Sequence, residues 1–90
     1  MKATKTFKIG ECAIGGKIKV VITGKVIQIN AIDWYSNEII MSGSTLITEN
    51  NARKLVKDYL NELTSFYYAN NILKWIETKI TFKNELGLTY

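Results

Sequence analysis

The side chains in this sequence that could do chemistry are lysines, a few carboxylates, two tryptophans and five tyrosines; there is no histidine and a single cysteine. That supply excludes most familiar sites. Zinc and copper centres need imidazoles or several thiolates. Glu11, Asp33, Glu38 and Glu49 lack the loop spacing of a calcium site, so neither a metal nor a cofactor is expected. Cys12 stands beside Glu11, which raises a thiol pKa, and it has no histidine to act as base. It reads as an inert small side chain in a cytoplasmic chain that needs no disulfide. Ser42, Ser44 and Thr45 lack a base for the same reason. Asp33 and Glu38 bracket a turn and could face each other as an acid–base pair, but a solvated hairpin end is the simpler reading. Gly10-Glu11-Cys12-Ala13-Ile14-Gly15-Gly16-Lys17 has the outline of a phosphate loop. Gly16, however, stands where that motif places lysine, and a β-rich run follows instead of a helix. The chain is therefore read as non-enzymatic.

What remains is a binding surface. Twelve Lys/Arg against eight Asp/Glu give +4 over 90 residues. AT-rich coding gives the same Lys/Asn/Ile bias, so the distribution of charge carries more than its sum. Residues 1–31 hold six lysines against Glu11, whereas residues 32–52 hold Asp33, Glu38 and Glu49 with no base. A basic surface gathers polyanions, which points to nucleic acid or an acidic protein as partner. Lys17 and Lys19 share the parity opposite Ile18 and Val20 and so point away from the expected core, and Lys25 across a tight turn can join them. Arg53, Lys54 and Lys57 lie off the apolar stripe of an expected helix. These six are the candidate phosphate contacts, expected to form one continuous patch. Trp34 and Tyr35, at a hairpin end, are the candidate stacking groups for single-stranded RNA.

The elements that must position them change period midway. Residues 3–9 and 17–22 alternate as strands. Thr23-Gly24 makes a tight turn, and residues 25–34 return as a strand whose mixed parity implies a bulge near Asn30 or two partly covered faces. Residues 38–47 form a fourth strand, which Gly43 should bend or end. Ala52, Leu55, Val56, Tyr59, Leu60 and Leu63 then repeat at helical steps, with Thr48 as N-cap and Glu49–Arg53 as an i,i+4 pair. Thr64-Ser65 caps a second helix over 66–77, with Phe66, Ala69, Leu73 and Ile76 on its apolar stripe, widened by Tyr68, Ile72 and Trp75. Residues 79–83 alternate as a short C-terminal edge strand, and 84–90 are expected to be a mobile tail. The fold class is α+β in a single domain of residues 1–90: an antiparallel meander of about four strands followed by two helices on one face. No apolar run approaches the ~18 residues of a membrane span.

Two stretches, Ile9-Gly10-Glu11-Cys12-Ala13-Ile14-Gly15-Gly16 and Asn61-Glu62-Leu63-Thr64-Ser65-Phe66-Tyr67-Tyr68-Ala69, within a short Lys/Ile/Asn-rich chain, resemble the small accessory proteins of T4-like bacteriophages. The resemblance implies a stoichiometric inhibitor of a host defence factor, such as a toxin or a ribonucleoprotein, acting in the host cytoplasm. It carries over no functional residue. The expected function is thus a non-enzymatic basic protein that binds nucleic acid, RNA first, or a host protein. The alternative is a homodimeric interaction module using Tyr67, Tyr68, Trp75 and exposed sheet edges.

Overall fold

The computed structural model describes residues 2–9 and 16–82. The strands β1 (Lys2–Lys8), β2 (Gly16–Thr23), β3 (Val26–Asp33) and β4 (Ile39–Leu46) precede the helices α1 (Ala52–Leu63) and α2 (Phe66–Glu77). The strands form one antiparallel sheet in the order β1-β2-β3-β4, the expected meander. Register follows the hydrophobic alternation. Phe7 pairs with Ile18, Ile18 with Ala31 and Ile22 with Ile27, so these residues share one face and the intervening residues share the other. Gly24, at φ +58°, opens the two-residue β2–β3 turn, where a side chain would be strained.

Both helices cover the face that carries Ile18, Val20, Ile22, Ile27, Ile29 and Ala31, all buried. From α1 come Ala52, Val56, Leu60 and Leu63, from α2 Ala69, Ile72, Leu73 and Ile76, and Phe82 closes the core. Each large aliphatic here contributes roughly 1.5–3 kcal/mol on burial. The helices form an antiparallel hairpin through the extended residues Thr64 and Ser65, and Arg53 at the start of α1 meets Glu77 at the end of α2. α1 lies over β3 and β4, and α2 over β1, where Trp75 meets Phe7 edge-on at 5.9 Å.

Several expectations are corrected. The N-cap of α1 is Asn51 in the left-handed region, φ 65°, and not Thr48. Residues 47–50 are held in a turn by the Ile47 N–H on the Lys25 carbonyl (2.7 Å) and the Glu49 N–H on the Leu46 carbonyl (3.0 Å). Glu49 thus precedes the helix, and Arg53 pairs with Glu77 instead. Gly43 does not break β4; it lets the Tyr59 ring approach, since a Cβ there would lie 3.0 Å from the ring carbons. The bulge expected near Asn30 is present, between Ala31 and Ile32, but its extra residue is on β4: Ile39 pairs with Ile32 and Met41 with Ala31, leaving Ile40 over. Leu55 and Phe66 lie outside the buried stripes. Residues 79–82 form no strand, although Phe82 is fully buried. Cys12 and the tail 84–90 lie outside the described residues.

Candidate nucleic-acid interface

The sheet face away from the helices is uncovered by any described element. Alternation brings to it Lys2, Thr4, Thr6 and Lys8 from β1 and Lys17, Lys19, Val21 and Thr23 from β2. β3 adds Val26, Gln28, Asn30 and Ile32, and β4 adds Ser42, Ser44 and Leu46. Four lysines thus share a face on which these strands place no carboxylate. Lys8 stands directly opposite Lys17, and Lys19 lies between Thr6 and Asn30. Beside Lys19 the Ser42 hydroxyl donates to Asn30 Oδ1 at 2.7 Å, fixing a buried amide in the middle of the face. Lys2 and Lys8 were missed as site residues from the sequence. Their signal was the alternation with Ala3 and Phe7, but the pairing of Lys8 with Lys17 depends on register.

At one end of this face the β3–β4 turn is a built corner. Asp33 Oδ1 accepts the backbone N–H of Tyr35 (2.9 Å) and of Ser36 (2.8 Å). These hydrogen bonds, Ser36 first, hold the Asp33 carboxyl below its usual range, with the nearby Lys17 ammonium adding to the effect. Asn37, at φ 60°, accepts a hydrogen bond from Lys17 Nζ at 2.6 Å. The same ammonium lies 5.4 Å from the centre of the Trp34 ring. Gly16 permits this arrangement through its backbone: it lies at φ +100°, where a side chain would be strained, and packs beside the Trp34 side chain. Trp34 is 43% exposed and Tyr35 91%, so both rings are presented at the rim.

The six candidate cations do not form one patch. Lys17 and Lys19 are on the open face, and Lys25 is on the turn at the opposite end of the strands, roughly 20 Å along β2 from Lys17. Arg53, Lys54 and Lys57 are on the helix layer, across the sheet. There Arg53 bonds Glu77 at 2.8 Å, Lys54 bonds Asp58 at 2.8 Å, and Lys57 covers the Phe66 ring at 5.9 Å. Two layers have two exteriors, and residues pointing away from a shared core on sheet and helix must part. Among the aromatics, Tyr68 and Trp75 pack against the core, while Tyr67 lies edge-on to Tyr68 at 5.4 Å and is exposed.

Among the described residues no cluster of three or more Cys, Asp or Glu side chains is placed to hold a metal ion, and no helix is long and apolar enough to cross a membrane. Compared with known proteins, the chain matches no family model, no curated protein and no solved structure.

Proposed function

We propose that this chain binds nucleic acid, single-stranded RNA in the first place, on the open face of its sheet. The observation that carries the reading is the gathering of Lys2, Lys8, Lys17 and Lys19 on one face that no described element covers, with no carboxylate among its strand residues. Phosphates would lie along the lysines, which fix position without reading sequence. The hydroxyls of Thr4, Thr6, Ser42 and Ser44 and the amide of Gln28 offer partners for 2′-hydroxyls and base edges, and Trp34 and Tyr35 offer faces for stacking. Arg53, Lys54 and Lys57 have no part in this reading. Its finer form, taken from the resemblance to phage accessory proteins, is an inhibitor that occupies the RNA of a host defence ribonucleoprotein or toxin complex.

The test is titration of a labelled single-stranded RNA across a range of salt. Three or four phosphate contacts give log K against log[salt] a slope of about −2 to −3 on a single strand. Lys17→Glu with Lys19→Glu removes two of them, which lowers affinity at least ~10-fold and flattens the slope by about 1.4. Lys19→Glu alone leaves the Lys17–Asn37 corner intact and separates charge from fold. Binding that ignores salt, or that survives the double substitution, refutes the reading. A matched DNA strand bound equally well would remove the preference for RNA.

A further inference from the structure

The two borders of the sheet are chemically unlike. β1 carries Lys2, Lys5 and Lys8, with charge on both of its faces, a usual protection of an exposed edge. β4 contains no charged residue and no proline, and no described strand pairs with its outer side. Large apolar side chains gather along it. Ile39, Ile40, Met41 and Leu46 are 39–60% exposed, and Leu55 of α1, beside β4, is 48% exposed. We propose that β4 is a self-association edge, pairing antiparallel with β4 of a second copy about a two-fold axis at Gly43.

A second copy is favoured as the occupant because the strand is complementary to itself. With Gly43 on the axis, Ile40 falls opposite Leu46, Ser42 opposite Ser44 and Met41 opposite Thr45. Hydroxyl thus meets hydroxyl on the open face, Ile40 at the bulge and Leu46 stand at the two ends of the paired stretch, and no like charges oppose each other within the strand. The area is of the right order. The exposed apolar side chains of this border offer at most roughly 450 Å² per protomer, so a pair approaches the ~1,000 Å² at which specific interfaces begin only with the backbone of the new ladder included. The axis runs normal to the sheet. Both helix layers therefore fall on one side, with Leu55 of each α1 toward the other, and both lysine faces fall on the opposite side. The β2 lysines of the two copies stand five strand spacings apart, roughly 24 Å. The inference rests on β4 alone, and its test contains no nucleic acid, so it stands or falls separately from the proposed function.

Sedimentation velocity of the full chain between about 1 and about 100 μM covers the dissociation constants expected of a modest interface. The mass should rise from 10.2 kDa toward twice that value. Ser44→Lys, at an exposed position of the strand, should raise the dissociation constant at least ~10-fold while the dilute monomer melts as the unaltered chain does. Thr4→Lys on the opposite border should leave the constant unchanged. Hydrogen exchange on the unaltered chain gives a second readout, in which protection of β4 amides should increase with concentration. A mass of 10.2 kDa at the highest concentration overturns the proposal, as does association indifferent to Ser44→Lys. Protection of β4 amides already complete in a dilute monomer also overturns it, since another part of the same chain would then cover the edge.

Discussion

Lys8 and Lys17 oppose each other across the β1–β2 ladder, two ammonium groups on the same face. Replacing Lys8 by glutamate turns that repulsion into attraction. Lys17 reaches toward Asn37, so the two charges are taken at a separation of about 8 Å, where unit charges interact by roughly 0.5–2 kcal/mol for effective dielectric constants between 80 and 20. Exposed pairs lie at the low end of such a range. Lys8 is exposed. The expected gain for Lys8→Glu is therefore about 1 kcal/mol, equivalent to ~4–8 °C in melting temperature for a domain of this size. The assay is a pair of thermal melts at low and at about 1 M salt, where the Debye length contracts from ~10 Å to ~3 Å and the gain should vanish. Nucleic-acid affinity should move the other way, falling at least ~10-fold at low salt. More stability with less binding is the signature of a lysine kept for a ligand at a cost to the fold. A melting temperature that falls, or affinity that does not change, refutes the reasoning.

Three further outcomes follow from the packing. Gly43→Ala places a methyl 3.0 Å from the Tyr59 ring. The backbone gains ~0.5–1 kcal/mol in stiffness, but overpacking costs ~1–3 kcal/mol, so the denaturant midpoint should correspond to a net loss of about 1 kcal/mol. An unchanged midpoint would mean that the ring yields freely. Tyr59→Phe removes a buried hydroxyl that has no hydrogen-bond partner among the described residues, and stability should stay level or rise by up to ~1 kcal/mol. A loss larger than that would mean that the hydroxyl bonds something in solution. The folded-state pKa of Asp33 lies below its ordinary 3.8, so the stability it supplies is present above that value and is lost as pH falls through the folded pKa. Acid melts of Asp33→Asn should show a smaller decline below about pH 4 than the unaltered chain. Parallel curves would exclude Asp33 as a contributor.

The parts of the fold legible in the sequence are those with strong period. Ile18, Val20 and Ile22 marked β2, and residues 66–77 gave α2 its observed bounds. The start of α1 was not legible, because the turn over 47–50 is held by contacts to Lys25 and Leu46, and Asn51 takes a left-handed backbone that the helical spacing does not announce. Gly43 was misread because the ring that requires it belongs to Tyr59, sixteen positions away and on another element. In the site, parity placed Lys17 and Lys19 correctly. The error was to join them to helix cations that also point away from the core. Phe66, expected on the apolar stripe of α2 but exposed, shows a related limit: helical spacing says which residues share a side, not how far the neighbouring layer reaches.

The unlike borders of the sheet have a consequence for growth. A sheet with two receptive margins can add copies without end and become a fibre. Here lysines fringe one margin and the other is bare, so any joining through β4 uses up the receptive margin of both molecules and terminates at two.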